Sequence, residues 1–324
     1  MKIGNVEING HVILGPMAGV TTLAYRDFCK PFGVALSYSE MISDCGLAYG
    51  NEKTMRYFAT SNVDRPVGLQ LFGSKIEMTL KAIDILEKEA QYDILDINLG
   101  CPVHKVVQTG AGSAWLKDPK GLYEYMKAVC ETSTKPVSAK IRLGWDENSI
   151  NFEEVCDVLV KAGVKLITIH ARTSRQLYMG TADYEKLRDF GTKLSVPLCI
   201  SGDIFTVEDA LKALEITKAQ FIMVARGGLG NPRLITNIER AINGQELLPE
   251  PTLEDQVEWA ESFSKMLIDQ IGERDAVMQL RGLIPHFFKG FAGYKKIRAE
   301  ISMNTKSVDD LYKVFNGIKN RSHL

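Results

Sequence analysis

The chain has 324 residues and a net charge of −1; 45% of its residues are hydrophobic and 24% are charged. These are ordinary values for a globular protein with one large domain and a smaller one. No apolar run approaches the ~20 residues that span a bilayer, which argues against a membrane protein. Because the net charge is near zero, any nucleic-acid surface must be a local patch.

The cysteines and the start of the chain bear on metal binding and location. None of the six cysteines forms a Cys-x-x-Cys pair and there are only five histidines, so we expect no metal site. The first residues lack a basic region followed by an apolar one, so no signal peptide is expected. Free thiols without a targeting segment predict a cytoplasmic protein.

Short apolar runs alternate with amphipathic stretches through about the first 240 residues. The runs predict eight strands, at His11–Gly15, Ala35–Ser39, Val67–Phe72, Ile94–Asn98, Val137–Ile141, Leu166–His170, Leu198–Ser201 and Phe221–Val224. Helices are predicted between them at Leu23–Phe32, Lys75–Glu89, Leu122–Thr132, Glu153–Ala162, Tyr184–Phe190 and Val207–Leu214. Three of these helices have start signals, namely Ser74, the Asp118-Pro119 pair, and Thr206 with Asp209.

Eight strand–helix alternations predict an α/β fold of the (β/α)8 barrel type. A doubly wound sheet would also alternate, but it usually has fewer strands and a nucleotide-binding glycine turn after the first strand. Here the first strand is followed by Pro16-Met17-Ala18-Gly19, which is no such turn.

Polar or special residues stand at the carboxyl ends of the predicted strands. In chain order they are Pro16-Met17-Ala18, Glu40-Met41, Gln70, Asn98 with Cys101, Lys140 with Arg142, His170 with Arg172, Ser201-Gly202-Asp203 and Ala225-Arg226-Gly227-Gly228. A buried polar group without a partner costs about 2 kcal/mol or more. Any one of these residues could simply cap a strand, but together they predict a polar ligand at one face of the barrel.

Cys101 follows the fourth predicted strand, three residues after Asn98, on a loop that begins with Gly100 and Pro102. A thiol at the carboxyl end of a barrel strand is well placed for chemistry. The alternative is an inert loop cysteine, since free cysteines are often buried.

Glycine-rich turns follow the last two predicted strands, at Ser201-Gly202-Asp203 and from Arg226 to Pro232. Such turns expose backbone N–H groups to an anion, and this is the usual phosphate position of a (β/α)8 barrel. A ligand with its phosphate here and a ring bonded by Gln70 and Lys140 would suit FMN.

The composition changes near residues 244–252, which have the character of a linker. Beyond it, helices are predicted at Leu253–Ile271, Ala276–Lys289 and Val308–Ile318, so we divide the chain into a barrel domain (1–244) and a linker with a small all-α domain (245–324). Residues 276–299 contain no acidic residue but several basic and aromatic ones: Arg281, Phe287, Phe288, Lys289, Phe291, Tyr294, Lys295, Lys296 and Arg298. This mixture fits a nucleic-acid surface; the alternative is a helix pair with an aromatic core and a solvated basic face.

Taken together, these motifs resemble the tRNA-dihydrouridine synthases, and most closely the bacterial B-type branch. The matching stretches are Gly15-Pro16-Met17-Ala18-Gly19-Val20, Gln70-Leu71-Phe72-Gly73, Asn98-Leu99-Gly100-Cys101-Pro102, Gly110-Ala111-Gly112-Ser113-Ala114, Lys140-Ile141-Arg142-Leu143-Gly144, His170-Ala171-Arg172-Thr173, Ser201-Gly202-Asp203 and Ala225-Arg226-Gly227. They cover nearly the whole barrel in the family's order.

The resemblance implies FMN as the cofactor, NADPH (or NADH) as a transient reductant and tRNA as the substrate, with no stable protein partner. It implies reduction of the C5–C6 bond of a uridine, with a hydride passing from flavin N5 to C6 and a proton from Cys101 to C5. The implied cofactor contacts are Pro16, Met17, Ala18, Gln70, Lys140, His170, Ser201, Gly202, Asp203, Ala225, Arg226 and Gly227. The implied or candidate substrate contacts are Asn98, Arg142, Arg172, Arg281, Lys289, Lys295, Lys296 and Arg298.

Three positions depart from the family's usual residues. Ala171 and Ala225 stand where glycine is common, and Ser201 stands where asparagine is common. Other functions stay open at this point: an FMN-dependent oxidoreductase of a free pyrimidine, akin to dihydroorotate dehydrogenase; a Schiff-base aldolase using Lys140; and a non-catalytic RNA-binding protein.

Overall fold

The computed structural model describes residues 1–322 and contains a closed barrel of eight parallel strands. A short antiparallel hairpin of β1 (Lys2–Ile3) and β2 (Val6–Glu7) precedes it. The barrel strands are β3 (Val12–Leu14), β4 (Leu36–Ser43), β5 (Val67–Phe72), β6 (Ile94–Asn98), β7 (Val137–Arg142), β8 (Leu166–His170), β9 (Leu198–Ser201) and β10 (Phe221–Val224), and β10 pairs with β3 to close the ring. All eight predicted strands are present, and the predicted fold class is confirmed.

Helices connect the strands around the outside of the barrel. They are α1 (Leu23–Cys29), α2 (Asp44–Ala48), α3 (Glu52–Met55), α4 (Ile76–Glu89), α5 (His104–Val107), α6 (Pro119–Thr132), α7 (Phe152–Ala162), α8 (Val207–Thr217) and α9 (Arg233–Ile242). Asp118 caps α6 by accepting from the Gly121 N–H at 3.0 Å, and Thr206 forms a capping box with Asp209 at the start of α8, as their sequences predict.

Two local predictions were wrong. Ser74 does not cap α4, because its hydroxyl donates to the Thr109 carbonyl at 2.6 Å and Lys75 occupies the cap position. The helix predicted at Tyr184–Phe190 is two 3-10 turns, Tyr184–Leu187 and Phe190–Thr192, separated by Asp189 with a φ of 58°. A left-handed residue cannot continue an α-helix.

The alternation of side chains along each strand divides the barrel into two cores. Outward-facing residues such as Leu69, Ile97 and Ile141 pack under the helices. Inward-facing residues at the amino end of the barrel are apolar, and Ile3 of the hairpin packs among them. Toward the carboxyl end the inward residues become polar, and the change occurs within single strands, as from Ile94 to Asn98. The barrel interior is therefore filled by apolar side chains at its amino end and lined by polar side chains at its carboxyl end.

Beyond residue 244, the described chain is helical. The elements are α10 (Leu253–Ile271), α11 (Glu273–Leu283), a 3-10 segment (Ile284–Phe288), α12 (Tyr294–Ala299), a π-helical turn (Glu300–Asn304) and α13 (Val308–Ser322). The helix predicted at Ala276–Lys289 instead begins earlier and gives way to 3-10 geometry at Ile284. Pro285 explains the change, because it lacks the N–H that an α-helical turn needs there.

An aromatic seam joins these C-terminal helices to the barrel helix α1. The Phe263 ring lies 5.4 Å from the Tyr25 ring and 5.7 Å from the Phe28 ring, and Phe28 lies 5.9 Å from Phe287. The four rings are buried. The predicted domain boundary at residue 244 stays a prediction. Within the described residues, no helix is long and apolar enough to cross a bilayer.

Candidate active site

A cavity opens at the carboxyl ends of strands β3, β7, β8, β9 and β10. Among the predicted cofactor contacts, those that line it are Pro16, Met17, Lys140, His170, Ser201, Gly202, Asp203, Ala225, Arg226 and Gly227. Ala18 and Gln70 are not among the lining residues. The cavity is also lined by residues that were not predicted as contacts: Gly15, Tyr178, Ile204, Phe205 and Met223.

One end of the cavity is built to receive an anion. Gly202 and Asp203 follow β9 with φ angles of 118° and 47°, and the backbone N–H of Asp203 makes no hydrogen bond to a described residue. A Cβ atom on Gly227 would stand 1.9 Å from the Ile204 carbonyl oxygen, so only glycine fits there. The Arg226 side chain is half-exposed beside this turn. A free backbone N–H on a tight glycine-containing turn, next to an arginine, forms a phosphate cradle.

Asp203 is fixed by Arg172, whose side chain is 1% exposed. The two guanidinium Nη atoms donate to the two carboxylate oxygens at 2.9 and 2.5 Å, and Arg172 also donates to the carbonyls of Met179 and Gly180. Burial acts to raise the pKa of Asp203, but the bonds from Arg172 and the Ala182 N–H hold it below its usual value. The pair therefore locks the β9 turn to the loop after β8.

Arg142 connects two other loops at the same face, and its side chain is 2% exposed. Its Nε donates to the Gly100 carbonyl at 3.0 Å, and its Nη1 donates to the carbonyls of Thr173 and Leu177 at 2.9 and 2.8 Å. Both arginines that were predicted to contact substrate thus hold backbone carbonyls. Their contact with substrate stays a prediction.

The centre of the cavity is positively charged. Lys140 makes no side-chain hydrogen bond or ion pair with any described residue, and burial, then Arg142, lowers its pKa to about 8. Burial and the surrounding cations hold the pKa of His170 well below its usual value, so the ring is neutral. Its Nε2 lies 3.3 Å from Arg172 Nη1 and must accept, because arginine only donates. This environment favours a ligand that carries or gains negative charge.

The Cys101 loop is attached to a buried hydrogen-bond chain beneath the cavity. Asn98 Oδ1 accepts from the N–H groups of Gly100 at 3.2 Å and Cys101 at 2.8 Å, and Asn98 Nδ2 donates to Gln70 Oε1 at 2.8 Å. Cys101 is outside the cavity lining, but its loop is joined to β7 by the Leu99 N–H, which donates to the Lys140 carbonyl at 2.8 Å. Burial raises the pKa of the Cys101 thiol, so it is protonated at neutral pH.

Two residues of this site were missed by the sequence reasoning. Asp96 lies under Gln70 inside the barrel; its inward position follows from the two-residue period that also places Asn98. Tyr178 lies on the loop after β8, with the Arg226 guanidinium 4.6 Å from its ring centroid. No sequence pattern shows that this loop folds back over the cavity, since two buried arginines hold it through backbone carbonyls, which any residue carries.

The basic residues of the C-terminal region divide into two groups. Arg281 is partly buried and donates from Nε and Nη2 to the Ser302 carbonyl at 2.9 and 2.6 Å. The other predicted contacts are exposed, namely Lys289, Lys295, Lys296 and Arg298. Phe287 and Phe288 are fully buried, as the alternative of an aromatic core predicts.

Solved structures share this fold at low sequence identity. A variant of NCR from Zymomonas mobilis, an old yellow enzyme homologue, aligns with a TM-score of 0.53 and 17% identity over 79% of this chain and 93% of that one. HisD, an amine oxidase from Pseudomonas geniculata, aligns with a TM-score of 0.57 and 13% identity over 75% of this chain and 49% of that one. These likenesses show the barrel architecture.

Sequence relatives are closer. A probable tRNA-dihydrouridine synthase of Rickettsia bellii is 29% identical over 99% of both chains. tRNA-dihydrouridine synthase B of Pasteurella multocida is 34% identical over 79% of this chain and 77% of the relative. The family model described as dihydrouridine synthase matches residues 13–321. The protein is a flavin-dependent oxidoreductase built on a (β/α)8 barrel. It belongs to the dihydrouridine synthase family, as its motifs predict.

Proposed function

We propose that the protein is a tRNA-dihydrouridine synthase that uses FMN and NADPH to saturate the C5–C6 bond of uridines in tRNA. The observation that carries the proposal is the position of Cys101. A protonated thiol stands at the same barrel face as a cavity that has a phosphate cradle at one end and an unpaired lysine at its centre.

The residues of the cavity fit FMN. The free N–H of Asp203 and the Arg226 side chain would hold the phosphate, and Lys140 would lie beside the ring and favour its anionic reduced form. When bound and reduced, FMN supplies a hydride to C6 of the uracil. Ala225 lines the cavity, so a methyl group in place of the family's usual hydrogen leaves the cradle open.

Cys101 would deliver the proton to C5 of the base. A general acid must be protonated before it acts, and burial keeps this thiol protonated at neutral pH. Asn98 would position the base, because its amide already fixes the backbone of the Cys101 loop at 2.8 Å. The uracil has to leave its stack to enter the site, which suits an unpaired nucleotide in a tRNA loop.

The exposed basic residues of the C-terminal helices would bind the RNA backbone. Lys295, Lys296 and Arg298 lie on one short helix, α12, without an acidic neighbour between Ala276 and Ala299. Positive side chains of this kind neutralise phosphates and release counterions, so their contribution weakens with salt.

The first test replaces the thiol. Cys101→Ala should retain bound flavin and its reduction by NADPH, while dihydrouridine formation in unmodified tRNA falls at least ~100-fold, the range for loss of general acid catalysis. Bound flavin is followed by absorbance, its reduction by stopped flow, and the product by mass spectrometry of tRNA nucleosides. Cys45→Ala, at a partly exposed cysteine on α2, is the matched control and should keep full activity. Normal product formation by Cys101→Ala would remove the thiol from the mechanism.

A second test separates RNA from a free pyrimidine as the substrate. Replacing Lys295, Lys296 and Arg298 by Gln should weaken tRNA binding about tenfold at 0.1 M salt and reduce the salt slope by about 3. Turnover of free uridine, if any, should not change. The matched control replaces three exposed lysines on the outer barrel helices by Gln: Lys120, Lys127 and Lys161. Equal effects of the two triple variants would contradict RNA binding by α12.

A further inference from the structure

A chain of buried side-chain hydrogen bonds runs through the barrel interior and ends at the Cys101 loop. The Tyr38 hydroxyl lies 3.0 Å from Ser138 Oγ, and Ser138 Oγ donates to Asp96 Oδ1 at 2.6 Å. Gln70 Nε2 donates to Asp96 Oδ2 at 2.6 Å, and Gln70 Oε1 accepts from Asn98 Nδ2 at 2.8 Å. All five side chains are buried.

The chain has a direction, and the direction begins at Asp96. An ionised carboxylate only accepts hydrogen bonds, so Gln70 must present its NH₂ group to Asp96 and its carbonyl to Asn98. Asn98 must then present its NH₂ group to Gln70 and its carbonyl to the loop. That carbonyl is what holds the N–H groups of Gly100 and Cys101.

We propose that Asp96 is a positioning residue: its carboxylate oxygen accepts from Gln70, which orients the amides of Gln70 and Asn98 and thereby holds the Cys101 loop in place. The carboxylate does not touch the reacting atoms. The inference rests on the proposed function in one respect, namely that the Cys101 loop carries the proton donor. The hydrogen-bond chain itself does not depend on any reaction. Burial raises the pKa of Asp96 to about 6, against the opposing bonds from Gln70 and Ser138, so the group is ionised at neutral pH.

The fixed direction also determines what Asn98 can offer to a ligand. One N–H of its amide is used by Gln70, and its nitrogen also lies 3.0 Å from the Met41 sulfur, which is a weak acceptor. A carbonyl oxygen of a pyrimidine base would be a stronger acceptor there. The chain thus presents Asn98 to substrate as a donor and not as an acceptor.

The decisive experiment exchanges the carboxylate at position 96 and the amide at position 98, the two side chains that bond to Gln70. In Asn98→Asp, two carboxylates face the single amide of Gln70, which can donate to only one of them. In the double variant Asp96→Asn with Asn98→Asp, Gln70 can turn over. Its NH₂ group then donates to Asp at 98 and its carbonyl accepts from Asn at 96, so every bond is restored with the opposite direction.

The readout is amide hydrogen exchange at Gly100 and Cys101 in the full-length protein as purified, together with the melting temperature. We expect Asn98→Asp to speed this exchange about tenfold, corresponding to the loss of one buried hydrogen bond. The double variant should return it to within about threefold of wild type. Neither measurement uses tRNA turnover, so a failure here is distinguishable from a failure of the proposed function.

Two controls separate orientation from packing. Asp96→Asn alone should change the exchange less than about twofold, because Asn at 96 can accept from Gln70 and donate to Ser138. Asn237 is a buried asparagine elsewhere that donates to the Leu248 carbonyl at 3.0 Å and accepts from the Leu248 N–H at 2.9 Å. Asn237→Asp should lower the melting temperature, and adding Asp96→Asn should not restore it.

Two results would overturn the proposal. One is a double variant that exchanges as fast as Asn98→Asp or faster, since simple packing roles predict additive losses. The other is an Asn98→Asp variant with wild-type exchange, since the donor at position 98 would then be unnecessary. Circular dichroism of each variant shows that the comparison is made between folded proteins.

Discussion

The carboxyl end of the barrel and the aromatic seam are both largely buried, yet charged side chains form the first and aromatic side chains form the second. The carboxyl end of the barrel contains Lys140, Arg142 and Arg172, with Asp96 inside the barrel. In the seam, Tyr25 and Phe263 pack with other rings. Burying a charge costs free energy unless it is paired, whereas burying a ring contributes about 2 to 3 kcal/mol. The seam therefore stabilises the fold. The charged side chains at the carboxyl end of the barrel destabilise it in the absence of a ligand that would pair with them.

The largest effect is expected from a seam residue. Phe263→Ala should lower the free energy of unfolding by about 3–5 kcal/mol, because it removes a fully buried ring that contacts Tyr25 and Phe28 and leaves a cavity. Urea unfolding measures the change. Met266→Ala, at a partly exposed position of the same helix, is the control and should change it by less than about 0.5 kcal/mol. A small effect of Phe263→Ala would mean that the seam is not a source of stability.

At the carboxyl end of the barrel, removing a side chain should raise the free energy of unfolding instead of lowering it. Lys140→Met removes a partly buried cation without a bonded partner, so it should raise the stability of the flavin-free protein at pH 7 by about 1–3 kcal/mol while abolishing the predicted flavin contact. Lys127→Met, on the exposed face of α6, should leave stability nearly unchanged.

The pH dependence of the Lys140→Met effect follows from linkage. The folded-state pKa of Lys140 is about 8, below the unfolded value of about 10.4. Between these values the unfolded chain binds the extra proton, so wild-type stability gains relative to the variant as the pH rises. The advantage of Lys140→Met should be full at pH 7 and smaller at pH 9. An advantage that grows with pH would contradict a partly buried lysine that is protonated at pH 7.

A smaller effect tests the phosphate cradle. Gly227→Ala should weaken FMN binding by about tenfold or more, because its Cβ would meet the Ile204 carbonyl oxygen and force the two glycine-rich turns apart. Titration of flavin fluorescence measures the affinity. Unchanged affinity would show that the turn is not in contact with the phosphate.

The smallest effect should be a gain in the C-terminal helices. Gly282→Ala lies in α11 at an exposed position where an added Cβ meets nothing within 4 Å. Alanine loses less backbone entropy on folding than glycine, so the free energy of unfolding should rise by about 0.5–1 kcal/mol. Flavin affinity should stay the same. A loss of stability would show that this helix packs against something at Gly282.

Much of the architecture could be predicted because it rests on local patterns. Each barrel strand is a short apolar run between turn signals, and the capping residues of α6 and α8 act within one helical turn. The errors were also local. At Ser74 a distant carbonyl competed for the hydroxyl, and at Asp189 a left-handed residue broke a pattern that was only weakly helical.

Sequence reasoning named many of the residues that line the cavity, but not the hydrogen bonds and ion pairs that join them. Strand ends that meet at one face of a barrel can be identified one at a time, which is why residues such as Lys140 and Ser201 line the cavity. Tyr178 could not be placed, because the loop that carries it is held by arginines six and 36 residues earlier. No sequence pattern predicts that either arginine donates to a backbone carbonyl.

The barrel, the family and the side chains at its polar face can be identified from the sequence, because periodicity and turn chemistry act over a few residues. Which of those side chains are paired becomes visible only in the folded barrel. Hydrogen bonds and charges inside a closed barrel join residues from different strands, and Asp96 shows the consequence: its role depends on Gln70 and Ser138, which lie 26 residues before it and 42 residues after it.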